Sequence, residues 1–229
     1  MTTPRYNIYT FIHKGLRAYM AHALVRVGRF DPHEAPERRD VLDEVRTLLD
    51  FCEHHVHNEN RVIHAAMEAR RPGSSQGTAG DHEEHFTEIA RLRRFVEHVE
   101  TQEGTARENA AALLYRELAA FAADNYAHMA VEESHNIGVL WECYSDAEIH
   151  ALEHDIVSHQ SMDEAAVALR WMLPHMNPEE RVRMLGGVRQ TVPGEVFEQI
   201  LGLIRPLLQR REWQKLSQAL GLPQPEFAL

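Results

Sequence analysis

Two helical stripes in this chain are interrupted by the same polar pair, a histidine followed four residues later by a glutamate. Between Cys52 and Val62 the pair is His55 and Glu59, and between Phe121 and Val139 it is His128 and Glu132. Residues four apart share one face of a helix. Both pairs stand in phase with the apolar positions around them, so both turn toward a core. A buried carboxylate is costly unless it is paired or binds a metal. Left without a cation, a core of this kind carries a desolvation cost of several kcal/mol per ion. Two such glutamates beside histidines point to a shared cation between packed helices.

The helices that would carry it are legible in the first 144 residues. The periodicity predicts helix A from about Ile8 to Gly28, with a stripe at Tyr9, Leu16, Met20, Ala23 and Val27. Two prolines and an aspartate then break the chain between Arg29 and Pro36. Helix B runs from about Glu37 to Arg70 on Val41, Val45, Leu48, Cys52, Val62 and Ala66. The glycine- and serine-rich run from Arg71 to Gly80 reads as a loop. Helix C covers about Asp81 to Glu103 on Ile89, Leu92, Val96 and Val99, and Gly104 ends it. Helix D covers about Arg107 to Tyr144 on Leu114, Leu118, Phe121 and Val139. Nothing reads as a strand. The expected fold is all-α: an up-down-up-down four-helix bundle over residues 1–144, followed by a smaller helical extension over 145–229. Shorter helices are punctuated there by Ser145 with Glu148, Ser161 with Glu164, and Asn177 with Pro178 and Glu180. Pro193 and Gly194 open another helix, which Pro206 should kink or divide. Leu201, Ile204, Leu207, Leu208 and Trp213 form an apolar face, either a cover packed on the bundle or a surface for a second copy or a protein partner.

Each of the other two helices adds inward ligands. His13 lies on the stripe of helix A, and His82 and His85 are in phase with Ile89 and Val96 on helix C. In an up-down bundle the start of A, the end of B, the start of C and the end of D meet at one level, and all the inward histidines and glutamates fall there. The candidate metal ligands are therefore His13, His55, Glu59, His82, His85, His128 and Glu132. Imidazole with carboxylate suits iron, manganese or zinc, and two carboxylates can each bridge two ions. His135, one turn past Glu132, reads as a supporting or core residue. Glu133 should swing away from the ligand face, His64 falls off that face, and His54 and His57 point sideways. Tyr9, Tyr19 and Tyr126 are near enough in sequence to line the site. Cys52, one turn before His55, is a buried thiol.

Composition removes other classes. The formal charge is −11 with no long basic run, which argues against nucleic acid and anionic membrane surfaces. No apolar run approaches the ~20 residues that span a bilayer. The polar segment from Met1 to Thr10 lacks a signal core, so a cytoplasmic protein is expected. Two cysteines without a CxxC motif give neither a disulfide framework nor a thiolate zinc site. Histidine is abundant, at 16 of 229 residues, and it is the in-phase ones that carry the argument.

Four motifs together resemble the hemerythrin-like, or HHE cation-binding, family: His13 in FIHKGLR, HVHNE from His55 to Glu59, DHEEH from Asp81 to His85, and HMAVEE from His128 to Glu133. The resemblance covers about residues 5 to 144. It implies an oxygen-reactive centre of two non-haem irons. His13, His55, His82 and His128 would be terminal ligands, Glu59 and Glu132 the bridges, and His85 a further histidine. Hemerythrin itself takes two histidines four apart from its third helix, whereas His82 and His85 are three apart. Its last bridge is an aspartate five after the histidine, whereas Glu132 follows His128 by four. Such variants resemble sensor, regulatory or repair members more than an oxygen carrier. The resemblance thus implies a diiron protein that binds or reacts with oxygen, nitric oxide or hydrogen peroxide in sensing or stress response. An oxidoreductase turning over peroxide or nitric oxide, an iron-storage or repair protein, and an interaction protein with structural zinc are the alternatives.

Overall fold

A computed structural model describes residues 5–222. The first long helix, α1 (Thr10–Arg29), turns back through a short loop into α2 (Ala35–Asn58). Glu34 opens α2 by accepting the backbone N–H of Glu37, and Pro36 sits in its first turn. The rod continues through a π-helical turn, Glu59–His64, into α3 (Ala65–Arg70). Helix α4 (Gln76–Thr101) returns, and α5 (Gly104–Val131) runs through a second π turn, Glu132–Asn136, into α6 (Ile137–Cys143). Helices α1, α2, α4 and α5 pack in a closed square, each against its two neighbours. The result is the expected up-down-up-down bundle, with no strand among the described residues. No helix among them is long and apolar enough to cross a membrane.

The predicted stripes fill the centre. Leu16, Met20, Val45, Leu48, Leu92, Val96, Leu114 and Leu118 are all buried in one cluster. Burying side chains of this size stabilises the fold by about 1.5–3 kcal/mol each. A separate cluster closes the end of the bundle beyond the His/Glu pairs. There Tyr9, Ile63, Met67, Ile137 and Leu140 pack with Ile149 of α7 (Asp146–Ser158). Arg5 is tied to the same end, donating to Asp146 at 2.9 Å and to the carbonyls of Trp141 and Tyr144.

The remaining helices are α8 (Met162–Met172), α9 (Pro178–Thr191), α10 (Gly194–Ile204) and α11 (Arg210–Leu220). All three predicted capping boxes are present, at Ser145, Ser161 and Asn177, and Pro206 ends α10 in a 3₁₀ turn. Helix α8 lies on α1, where Ala168 and Trp171 join the bundle core and Trp171 stacks on Tyr19 at 4.0 Å. Gly15 makes the close approach possible: a Cβ there would meet Met172 Cγ at 3.0 Å and Met172 N at 3.2 Å.

Several expectations need correction or refinement. Of the two readings of the C-terminal apolar face, Leu201, Ile204, Leu208 and Trp213 follow the packed one, though not as a simple cover on the bundle. They are buried in a second core with Leu173, Leu185 and Leu216, which Phe11 of α1 also touches; Leu207 is half-buried. The run from Arg71 to Gly80 is not all loop, because α4 starts at Gln76 and carries Gly77 and Gly80 inside it. The Glu68 carboxylate fastens the shortened turn by accepting from Gly73 N, Ser75 N and Ser75 Oγ at 2.6–2.9 Å, with Gly73 at φ +84°. Gly104, at φ +51°, opens α5, while the preceding helix ends at Thr101.

Candidate metal centre

Each of the four bundle helices brings its inward histidine or His/Glu pair to one level, just below the end closed by α7. His13, Glu59, His82, His128 and Glu132 are buried, and His55 is nearly so. They fall into two sets of four. One is His13, His55, Glu59 and Glu132; the other is His82, His128, Glu59 and Glu132. Within each set the potential ligand atoms lie within 4.8 Å of one another. The two carboxylates belong to both sets, with a pair of histidines on either side. Glu59 Oε1 stands 3.6 Å from His13 Nε2 and 3.2 Å from His55 Nε2, while its Oε2 stands 3.5 Å from His82 Nε2. Glu132 Oε2 is 3.4 Å from both His13 Nε2 and His128 Nε2, and its Oε1 is 3.7 Å from His82 Nε2.

Four carboxylate oxygens and the Nε2 atoms of His13 and His55 are buried with no hydrogen-bond partner. Native interiors rarely leave polar atoms in this state. Donors of this type, converging and unspent, fit divalent or trivalent cations. Protonation equilibria of the chain alone reflect the same crowding. Burial and then the charge of Glu132 push the Glu59 carboxyl up. Burial opposes charge on Glu132 too, yet the facing rings of His128 and His82, at 3.4 and 3.7 Å, hold it well down. Burial disfavours charged His128, but Glu132 and then Asp81 outweigh it and raise the ring to about 9. His55 goes well below its ordinary value through burial and the charge of His13.

The far side of three rings is held by an oxygen acceptor. His82 Nδ1 faces Asn60 Oδ1 at 2.7 Å, His128 Nδ1 faces Asp81 Oδ2 at 3.1 Å, and His13 Nδ1 faces Glu133 Oε1 at 3.0 Å. Such contacts favour the proton on Nδ1 and turn Nε2 toward the carboxylates, where the Nε2 atoms of His82 and His128 also meet each other at 2.9 Å. Arg17 grips the Glu133 carboxylate at 2.6 and 3.0 Å. Burial works against that carboxylate, but His13 and Arg17 bring its pKa to about 2. The pattern runs round the bundle. Asn60 follows Glu59 and serves the histidine of the next helix; Asp81 precedes His82 and serves the one after; Glu133 follows Glu132 and serves α1. The helical spacing placed Glu133 off the ligand face as a supporting or surface residue, and it supports His13; the roles of Asn60 and Asp81 were missed. Their shared signal was a polar neighbour directly beside a ligand.

His85 stands apart from the six. It is buried, but its Nε2 turns to Asp124 Oδ2 at 3.0 Å, and its ring meets that of His128 edge-on at 4.7 Å. His54 pairs with Glu164 and His57 lies on Phe86, both exposed as expected. The hydroxyl of Tyr19 donates to the Glu44 carbonyl and that of Tyr126 to the Arg17 carbonyl, so both are packing residues. Tyr9 is different. It is 1% exposed, its ring centre is 5.0 Å from that of His13, and its hydroxyl has no partner. Burial, then Glu132 and Glu59, raise the phenol well above its ordinary pKa. Cys52 is buried, which alone lifts its thiol to about 12.

Two residues beyond the pairs depart from their expected places. His64 is buried rather than off the face, and His135 is exposed, with Asn136 buried instead. Both follow from the π turns, each of which starts at a carboxylate, Glu59 or Glu132. The wider i→i+5 turn rotates everything after it while leaving the His/Glu spacing before it intact.

A helical bundle with two His₂Glu₂ sets joined through shared carboxylates is a metal-binding bundle by the chemistry of its donors. The chain belongs to the hemerythrin HHE cation-binding domain family, whose model matches residues 6–140. Comparison with curated proteins and with solved structures gives no significant match.

Proposed function

We propose that this protein holds two non-haem iron ions and binds or reacts with a small diatomic or peroxide ligand, in sensing or stress response. The observation that carries the reading is the pair of donor sets sharing both Glu59 and Glu132, with every oxygen of the two carboxylates unspent. One ion would take His13 and His55, the other His82 and His128, and Glu59 and Glu132 would bridge them. His85 then supports the ring of His128 from the side rather than ligating. Two ions held this way would supply one-electron redox chemistry and positions open to a small ligand. Iron is preferred over manganese or zinc because the set joins hard carboxylates to imidazoles without a thiolate, and because variable coordination suits a reactive centre.

The protein's own part is to fix four rings by their Nδ1 contacts or by packing and to exclude bulk water. The end cluster of Tyr9, Ile63, Met67, Ile137 and Ile149 performs the exclusion. Iron-loaded protein should absorb in the near ultraviolet and change that absorption on reduction and on adding peroxide or nitric oxide. Zinc alone after growth in adequate iron would overturn the reading, since Zn²⁺ has no redox chemistry. Steady turnover of peroxide or nitric oxide, rather than stoichiometric binding, would move the protein to the oxidoreductase alternative.

A further inference from the structure

A second polar layer lies directly on the ligand layer, one helical turn nearer the closed end of the bundle. Each bundle rod contributes one member. Tyr9 precedes His13 by four, Thr78 precedes His82 by four, Asn136 follows Glu132 by four, and His64 follows Glu59 by five across its π turn. All four are at least nine-tenths buried. Thr78 Oγ1 is their hub. It accepts from Asn136 Nδ2 at 3.2 Å, meets His64 Nε2 at 3.2 Å and lies 3.2 Å from the Ser75 carbonyl. The ring of His64 stacks on that of His82 at 4.7 Å.

Three atoms of this layer remain without a partner: Tyr9 Oη, Asn136 Oδ1 and His64 Nδ1. Phenol, amide and imidazole come from three different segments, and each is buried where a packed core would place an aliphatic side chain. The Asn136 amide lies within reach of the Tyr9 hydroxyl and opposes the rise in its pKa, but neither Tyr9 Oη nor Asn136 Oδ1 closes a hydrogen bond of normal geometry. The hub uses the inner hydrogen-bonding capacity of the layer and leaves unspent a donor, an acceptor and a ring nitrogen. This is how a binding wall for a small polar ligand is built; a purely structural network would close on itself.

We propose that Tyr9, Asn136, Thr78 and His64 form the subsite for the outer end of a small hydrogen-bond-accepting ligand of the centre, with the Tyr9 hydroxyl as its donor. This rests on the metal-binding reading above and adds the ligand's class: an anion or oxygen species able to accept a hydrogen bond, in preference to a purely apolar gas. Tyr9 is a positioning residue for the ligand and not a metal ligand.

Azide is the probe. Wild-type iron-loaded protein and the Tyr9→Phe and Tyr19→Phe variants would be titrated with azide by absorption. Metal content and helical melting would be measured on each. Tyr9→Phe should keep the wild-type iron content and bind azide about tenfold more weakly, the worth of one good hydrogen bond. Tyr19→Phe, whose hydroxyl bonds the Glu44 carbonyl outside the site, should bind as wild type. The infrared stretch of bound azide should shift between H₂O and D₂O in wild type and lose that shift in Tyr9→Phe. Unchanged azide affinity and an unchanged isotope shift in Tyr9→Phe would overturn the inference, as would loss of iron from that variant. Failure of the wild type to hold iron or bind azide would instead overturn the metal-binding reading beneath it.

Discussion

Glu59→Gln should move thermal stability in opposite directions with and without metal. Glu59 is 2% exposed, both its oxygens are unpaired, and burial together with the charge of Glu132 raises its pKa. An acid whose folded pKa lies above its unfolded value loses stability as pH rises through that interval. At pH 7 the metal-free fold therefore bears the cost of confining a second carboxylate beside Glu132, which His13 and His82 offset in part and which can reach several kcal/mol for a buried ion. Glutamine keeps the shape and removes the charge, leaving unmade hydrogen bonds worth about 1–3 kcal/mol. The net gain for the metal-free protein is about 2 kcal/mol, or about 4–8 °C in Tm for a chain of this size. Iron reverses the order. Wild type gains about 2.7 kcal/mol at a free metal concentration one hundred times its Kd, whereas the variant has lost a charged donor from both sets. Calorimetry of metal-free and iron-loaded samples at pH 7 should show the two melting orders crossing. A Glu59→Gln variant that melts lower than wild type without metal, or keeps the full iron-dependent rise, would refute the reasoning.

Other substitutions separate ligand from neighbour. Glu132→Gln should lose at least one iron or the near-ultraviolet absorption, while Glu133→Gln should keep both ions with affinity about 10–100-fold lower, because it only orients His13. The reverse outcome, read by metal analysis and absorption, would displace Glu132 as the bridge. His55→Ala should lower metal content well beyond His54→Ala or His57→Ala, whose rings face Glu164 and Phe86; equal losses would mean the helix phase is wrong. Gly15→Ala forces a Cβ against the Met172 backbone at 3.2 Å and should cost about 1–3 kcal/mol in denaturant unfolding with metal content unchanged. No loss of stability would show that α8 is not seated on α1 in solution.

The apolar stripes were readable because burial in a bundle follows a 3.6-residue period. Leu16, Leu48, Val96 and Leu118 lie in the core as their spacing requires. The convergence of His13, His55, Glu59, His82, His128 and Glu132 was readable for a related reason: antiparallel order alone sets which helix ends meet. Where the sequence misled, non-local packing decided. The π turns leave helical dihedrals at every junction, such as Asn58 and Val131, so nothing local marks them. They nevertheless exchange His135 for Asn136 and carry His64 inward. Helix α4 begins inside a stretch rich in glycine and serine because Glu68 fastens the turn before it and Thr78 is buried. The C-terminal stripe of Leu201, Ile204 and Trp213 had the same periodicity whether it faced outward or into a core, and only contacts with Leu173 and Leu185 choose between them.

The central claim is that Glu59 and Glu132 serve two ions at once, and metal stoichiometry tests it most directly. Metal and protein would be quantified on the same sample, purified from cells grown with adequate iron. The account predicts close to two metals per chain, mostly iron, with the two lost together when Glu59 and Glu132 are both changed to Gln. A clean ratio of one metal per chain in the wild type would contradict it.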